Sequence, residues 1–175
     1  MMFARSSLAL LTALVLTGCA SEASTPDAPD PITLTAEAAG HYCQMTILEH
    51  DGPKAQMYLA GYEHPLWFSQ VRDGLAYIKS PEQEAKILVT YVNDMSKAKN
   101  WSEPGVDNWI RADEAYFVVH SDAIGGMGAP ELVPFSSEAD AIAFAKNRGG
   151  MVKRLGDISA ETVLAPVDAH EGDHQ

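Results

Sequence analysis

Two sulfur-bearing side chains, Cys43 and Met45, stand two residues apart in the segment His41-Tyr42-Cys43-Gln44-Met45. In an extended segment, residues at this spacing point to the same side of the chain. A thiolate and a thioether are soft donors, and they suit a soft monovalent ion such as Cu(I). The pair therefore predicts a metal site of low coordination number, which needs one or two further donors from elsewhere in the chain.

Met127 is the first candidate for such a donor. It lies in the glycine-rich run Gly125-Gly126-Met127-Gly128, where a long flexible side chain has little core to pack against. Met45, in contrast, is equally well interpreted as a ligand or as a methionine that fills a core. Histidines are secondary candidates, because a single histidine is more often structural or solvated than a ligand. These histidines are His41, His50, His64 and His120.

The second cysteine, Cys19, closes the run Leu16-Thr17-Gly18-Cys19, a bacterial lipobox. Arg5 and an apolar stretch too short to span a bilayer precede it, as in a secretory signal peptide. We therefore expect a diacylglycerol on Cys19, which leaves Cys43 without a partner for an internal disulfide. Because Ala20 rather than an aspartate follows Cys19, we expect a periplasmic protein anchored to the outer membrane.

The composition of the chain changes along its length and predicts four segments. Residues 1–18 form the signal peptide, and residues 19–35, which have almost no bulky apolar side chain, form a lipidated flexible tether. A single copper-binding domain is expected over residues 36–164. Residues 165–175 form an acidic disordered tail, whose histidines, His170 and His174, are either solvated or hold a divalent metal loosely.

The formal net charge of the chain is −12 at pH 7. A nucleic-acid-binding protein needs a basic face, so this charge argues against DNA and RNA as partners. It also argues against adsorption to anionic lipid through basic residues. We therefore expect membrane attachment through the acyl chains alone.

An internal similarity relates residues 68–79 to residues 135–146 at a constant offset of 67, with Phe, Ser, Asp, Ala and Lys identical in the two copies. In each copy a serine precedes a run of helical period, which predicts helices over about Ser69 to Lys79 and Ser136 to Asn147. The Gly149-Gly150 pair fits a helix stop after the second.

Each predicted helix follows a predicted β-hairpin. The first hairpin joins residues 45–49 to residues 56–59 through the turn Asp51-Gly52-Pro53, and the second joins residues 115–120 to residues 131–134 through the glycine-rich run. Further strands are expected over residues 87–92 and 151–155. The predicted fold is therefore α+β, with two pseudo-repeated ββαβ-like units in one domain; coincidental similarity between two amphipathic helices is the alternative.

No constellation of a hydrolase is present in the sequence, which lacks Gly-x-Ser-x-Gly, His-Glu-x-x-His and Cys-x-x-Cys. A thiol-dependent enzyme of the lyase or peroxidase type, with Cys43 as nucleophile, is the main alternative to a metal-binding protein. A structural lipoprotein with an incidental thiol is a third interpretation.

Several of these motifs together resemble the NosL family, the accessory lipoproteins of nitrous oxide reductase maturation. The resemblance rests on the lipobox and on five stretches, namely residues 43–50, 52–56, 109–119, 125–128 and 131–135. Members of that family usually read Cys-Gly-Met where this chain reads Cys43-Gln44-Met45. The fold implied is also similar to that of the organomercurial lyase MerB, which works with a pair of cysteines, so the single thiol here argues against lyase activity.

The resemblance implies a periplasmic Cu(I) chaperone without catalytic turnover. Its expected metal ligands are Cys43 and Met127, with Met45 close by and one histidine possible among His41, His50 and His120. It would deliver copper to the membrane NosDFY transporter complex, which is of the ABC type. Through that complex the copper would reach the copper centres of nitrous oxide reductase.

Overall fold

The computed structural model describes residues 28–167. The predicted signal peptide, the lipidation site Cys19 and the histidines of the tail lie outside the described residues. In the described part, none of the helices has the length and apolar character needed to cross a membrane. Its elements, in chain order, are β1 (Ala55–Leu59), β2 (Leu66–Phe68), α1 (Val71–Lys79), β3 (Ile87–Asn93), β4 (Trp109–Arg111), β5 (Tyr116–Val119), β6 (Val133–Phe135), α2 (Glu138–Arg148), β7 (Met151–Arg154) and α3 (Ala160–Leu164).

The strands form two antiparallel sheets, one with the order β2-β1-β3-β4 and the other with the order β6-β5-β7. The predicted α+β class is confirmed. In both halves the chain order is strand, strand, helix, strand, and the first strand lies in the centre of its sheet. The repeat relation between the halves stays a prediction.

One hydrophobic core joins the two halves, because buried side chains from both sheets and from α1 and α3 pack into the same cluster. Alternation along β1 and β3 divides the first sheet into two faces. Met57 and Val92 point into this core, whereas Tyr58, Val89 and Tyr91 pack together in a separate cluster.

The segment over residues 28–34 covers the second face of the first sheet. The Gln56 side chain donates to the Ile32 carbonyl and accepts from the Ile32 amide, both at 3.0 Å, and the Tyr91 hydroxyl donates to the Pro29 carbonyl at 2.8 Å. Leu34 is buried. Residues 28–34, which belong to the predicted tether, thus contact this face of the sheet; the predicted segmentation of the chain stays a prediction.

The predicted first hairpin is wrong. Residues 45–49 form no strand: Thr46 makes an isolated bridge with Ala39, and a 3₁₀ turn follows over Ile47–Glu49. β1 instead pairs with β2 and β3. The tertiary structure thus gives β1 other partners. Just before residues 45–49 the chain reverses at Gln44, whose φ of 56° lies in the left-handed region and prevents an extended course from Cys43 to Met45.

The second hairpin is confirmed, with Phe117 opposite Pro134 between β5 and β6. Both predicted helices are present, but each begins two residues later than expected. α2 is capped by Ser137, whose hydroxyl accepts from the Asp140 amide, and it ends at Gly149 with a φ of 76°. The Ser69 hydroxyl, which was expected to cap α1, lies beside the Cys43 sulfur instead.

Candidate metal centre

Cys43 lies in a tight turn over residues 40–45, which two backbone hydrogen bonds close. The Gly40 amide donates to the Met45 carbonyl at 2.9 Å, and the Gln44 amide donates to the Gly40 carbonyl at 2.8 Å. The Cys43 thiol is free and half-buried. The extended geometry expected for Cys43 and Met45 is therefore not observed, although the turn keeps the two residues close to each other.

Gly40 and Ser69 form the immediate surroundings of the sulfur. The Cys43 Sγ lies 3.2 Å from the Ser69 Oγ. A Cβ atom added to Gly40 would lie 2.5 Å from the Cys43 Sγ and 2.8 Å from the Ser69 Oγ, so only glycine leaves room for the thiol here. When the sulfur is a thiolate, the Ser69 hydroxyl donates to it and stabilises its charge.

Met127 lies at the tip of the loop between β5 and β6. The loop is closed by the Gly125 amide, which donates to the Ala129 carbonyl at 2.8 Å, and Gly128 has a φ of 81°. The Met127 amide donates to the Gln70 Oε1 at 3.2 Å. Gln70 directly follows Ser69, the residue that contacts the thiol, so the loop is held beside the surroundings of Cys43.

A second set of contacts fixes the same loop from the other side. A Cβ atom on Gly126 would lie 2.6 Å from the His50 Cβ and 2.7 Å from the Asp51 carbonyl oxygen, and 3.3 Å from the Ser69 carbonyl oxygen. The backbone of the loop is thus packed against the chain just after the Cys43 turn. The Met127 loop therefore contacts residues 50–51 and 69–70, and the approach of Met127 to Cys43 itself stays a prediction.

His50 bridges the two segments. One ring nitrogen, Nδ1, lies 3.1 Å from the Gly126 carbonyl oxygen and donates to it in the neutral tautomer. The other nitrogen, Nε2, is buried and has no hydrogen-bond partner in the described part of the chain. In this tautomer Nε2 carries a lone pair. A histidine held in this way by a carbonyl has the usual arrangement of a metal ligand.

The other three histidine candidates have different surroundings, and His64 is exposed. The His41 ring packs among three aromatic rings, with centroid distances of 4.9 Å to Tyr42, 5.8 Å to Phe68 and 5.6 Å to Tyr77. His120 is exposed at the end of β5, where its φ is 59°. His41 belongs to the Cys43 turn, but its ring is occupied by these aromatic contacts.

Several large apolar side chains of the Cys43 segment and the Met127 loop are exposed. Met45 and Met127 are 45% and 39% exposed, and Tyr42 and Leu48 of the same segment are also exposed. Among residues 28–167, no three side chains of the types His, Cys, Asp and Glu come together as a metal-binding group. Methionine sulfur is not one of those donor types. Met45 is the soft donor nearest to Cys43 along the chain, and Met127 is the soft donor of the loop that packs on Gln70 and His50.

Two buried ionisable side chains, Glu131 and Lys54, lie behind the loop. Glu131 is buried, and its burial raises its pKa to about 7, although hydrogen bonds from the Arg72, Leu132 and Val71 amides act to lower it. Burial also lowers the pKa of Lys54 to about 8, against the attraction of Glu131 and Asp51. The Lys54 ammonium donates to the carbonyls of Asp51 and Gly52.

Sequence reasoning missed four residues that shape this site: Gly40, Ser69, Gln70 and Glu131. Ser69 carried a signal, but it was interpreted as a helix cap. Gly40 is separated from Cys43 by only two residues, and its role depends on the turn. Gln70 and Glu131 act across a long distance in sequence, which local patterns do not encode.

Comparisons with known proteins give a consistent result. The family model described as NosL matches residues 31–163. The chain is 57% identical over 139 residues to the copper-binding lipoprotein NosL of Achromobacter cycloclastes, a match that covers 79% of this chain and 72% of that protein. It is 33% identical over 152 residues to the copper-binding lipoprotein NosL of Stutzerimonas stutzeri, with 86% and 77% covered.

Two solved structures are similar to the fold described above. The crystal structure of the copper chaperone NosL from Shewanella denitrificans matches with a TM-score of 0.70 and 32% identity, over 74% of this chain and 96% of that one. The solution structure of apo-NosL from Achromobacter cycloclastes matches with a TM-score of 0.50 and 55% identity, over 66% and 92%.

Proposed function

Because the chain belongs to the NosL family, we propose that it is a Cu(I) chaperone that supplies copper for the copper centres of nitrous oxide reductase. Relatives that are named copper-binding lipoproteins and a copper chaperone support the copper part of this proposal. The destination of the copper rests on the resemblance of the sequence to that family.

The ion is held by the Cys43 thiolate and the Met127 thioether, with Met45 close enough in the chain to join them. The observation that supports this assignment is the packing of the Met127 loop against Gln70, which follows the thiol contact Ser69, and against His50. Gln70 accepts from the Met127 amide, and Gly126 packs on His50. A site with two soft sulfur donors and at most one or two further ligands favours a monovalent copper ion.

His50 is the histidine that completes the site in this proposal. Its Nε2 is buried and unpartnered, whereas His41 packs among aromatic rings and His120 is exposed. A nitrogen ligand added to two sulfurs gives a three-coordinate ion. The hydrogen bond from Nδ1 to the Gly126 carbonyl fixes the ring in the tautomer that this role requires.

Transfer proceeds by ligand exchange. The exposed thioethers are the first donors that a partner's ligands replace, because they bind more weakly than the thiolate and lie at the surface. The half-buried Cys43 releases the ion last. No covalent chemistry of the protein is needed, so the chaperone shows no turnover.

The partner in this proposal is the membrane NosDFY transporter complex, reached from the periplasm. Lipid on Cys19 attaches the chaperone to the outer membrane. Both points come from the sequence alone, since Cys19 lies outside the described residues.

A competition titration against a calibrated Cu(I) chelator tests the proposed function. The wild-type protein should bind one Cu(I), Cys43→Ser should lose this binding, and Met127→Ala should weaken it by about tenfold or more, which corresponds to about 1.4 kcal/mol. Equal binding by wild type and Cys43→Ser would contradict the proposal. Turnover of a thiol-reactive substrate that depends on Cys43 and is insensitive to Met127→Ala would favour the thiol-enzyme alternative.

A further inference from the structure

Glu131 lies at the end of the Met127 loop, and its carboxylate binds the start of a helix from the other half of the molecule. Oε2 accepts from the Val71 amide at 3.1 Å, and Oε1 accepts from the Arg72 amide at 2.9 Å and from the Leu132 amide at 2.9 Å. The N-cap residue of α1, Gln70, provides no side-chain cap. A carboxylate in this position satisfies free amides and interacts favourably with the helix dipole.

The residues directly before this helix are those that contact the proposed copper ligands. The Ser69 Oγ contacts the Cys43 sulfur, and the Gln70 Oε1 holds the Met127 amide. Gly125 fits between them, because a Cβ there would lie 2.5 Å from the Gln70 Oε1 and 2.8 Å from the Glu131 Oε2. One carboxylate thus fixes the start of α1 against the loop, and both ligand segments are attached to that junction.

Burial of the ionised Glu131 carboxylate lowers the free energy of unfolding. Its pKa rises from an ordinary value near 4.5 to about 7, so the folded state holds the proton more tightly than the unfolded state does. The free energy of unfolding therefore falls as the pH rises from about 4.5 to about 7. The charged groups that face Glu131 are Asp73 of α1, which opposes ionisation, and Lys54 before β1, which favours it.

An uncharged glutamine would avoid this desolvation, but it cannot make the same contacts. Its amide oxygen accepts, whereas its NH₂ group would face a backbone N–H and leave that donor unsatisfied. The ionised carboxylate therefore satisfies the three backbone amides at this junction, although its burial lowers the stability of the fold.

We propose that Glu131 is the positioning residue of the copper site, which aligns the Met127 loop with the Cys43 turn through Ser69 and Gln70. This inference rests on the proposed function. Glu131 itself binds no copper. It acts by keeping the thioether of Met127 within reach of an ion on Cys43.

The variant Glu131→Gln tests the inference, with Cu(I) affinity measured by chelator competition and the Met127 methyl group observed by NMR. Affinity should fall roughly 10- to 100-fold, as is typical when an outer contact of a metal site is lost. The Met127 methyl resonance should shift on copper loading in the wild type and shift little in the variant. Val89→Ala is the matched control, because it loses core packing on the opposite face of the first sheet and should keep wild-type affinity.

The pH dependence separates positioning from a general loss of stability. Above about pH 7 the wild-type carboxylate is ionised and the affinity ratio of wild type to Glu131→Gln should be largest. Below that pH the carboxylate is protonated, and the ratio should shrink towards one. Competition between protons and copper for Cys43 affects both proteins equally and cancels in the ratio.

Wild-type affinity and a wild-type methyl shift in Glu131→Gln would overturn the inference, and so would an equal loss of affinity in Val89→Ala. If Glu131→Gln does not fold, Gln70→Ala decides, because it removes the bond to the Met127 amide and leaves Glu131 in place; it also removes the bond from the Gln70 Nε2 to the Asp73 carboxylate. That variant should reproduce the loss, and unchanged affinity in it would overturn the inference. Absence of Cu(I) binding by the wild type would instead contradict the proposed function.

Discussion

At the scale of single residues, the site depends on a glycine below the thiol. Gly40 has no side chain where the Cys43 sulfur and the Ser69 hydroxyl lie, and its backbone closes the turn at both ends. A larger residue here must displace the sulfur or open the turn. The requirement is steric, because the φ of Gly40 is not in the left-handed region.

We expect Gly40→Ala to lower Cu(I) affinity by about tenfold or more. The added methyl group pushes the Cys43 sulfur away from Ser69, and overpacking of this kind costs about 1–3 kcal/mol of stability. Chelator competition and urea denaturation measure the two effects. Gly156→Ala is the control, since a Cβ there meets no other atom within 4 Å, and its affinity should equal that of the wild type. Undiminished affinity in Gly40→Ala would contradict this account of the turn.

Residue types predicted the candidate donors, but not their geometry. A lone thiol, a methionine among glycines and a set of histidines can be read directly from the sequence. The left-handed conformation of Gln44 cannot, because few non-glycine residues adopt it. Because Gln44 adopts this conformation, Cys43 and Met45 lie in a turn and not in an extended segment. That Cys43 and Met127 share one ion stays a prediction.

At the scale of elements, the two helices of similar sequence begin in different ways. α2 is capped locally by Ser137, whose hydroxyl accepts from the Asp140 amide at 3.3 Å. α1 is capped from the other half of the molecule by Glu131. The local cap should serve stability alone, whereas the distant cap also connects the two ligand segments.

Ser137→Ala should therefore lower the free energy of unfolding by about 1 kcal/mol and leave Cu(I) affinity unchanged. Urea denaturation of the apo protein measures the first quantity, and chelator competition measures the second. A loss of affinity in this variant would mean that copper binding follows overall stability, contrary to the distinct roles given to the two caps.

Elements with a clear periodic or apolar pattern were predictable, and those without one were not. Both helices and the strands β3, β5 and β7 follow from their patterns to within two residues. The sequence indicated none of β2, β4 and α3, which have three, three and five residues and no periodic pattern of their own. The first hairpin failed because β1 found its partners in β2 and β3, a choice that depends on the tertiary structure.

At the scale of the whole molecule, buried carboxylates join the two sheets. Asp94, after β3, accepts from the Ser136 amide after β6 at 2.9 Å and from the Ser96 amide at 3.0 Å. Burial raises the pKa of Asp94, but these hydrogen bonds outweigh burial and hold it below its ordinary value. Together with Glu131, it fixes the halves that carry Cys43 and Met127. Pairs so distant in sequence leave no local pattern, which explains why these connections could not be predicted.

X-ray absorption of the copper-loaded protein tests most directly whether the two halves share one ion. The wild type should show two sulfur neighbours of copper and one lighter neighbour, and Met127→Leu should lose one sulfur. Met151→Leu, which removes another exposed methionine, should match the wild type. An unchanged number of sulfur neighbours in Met127→Leu would contradict the shared site.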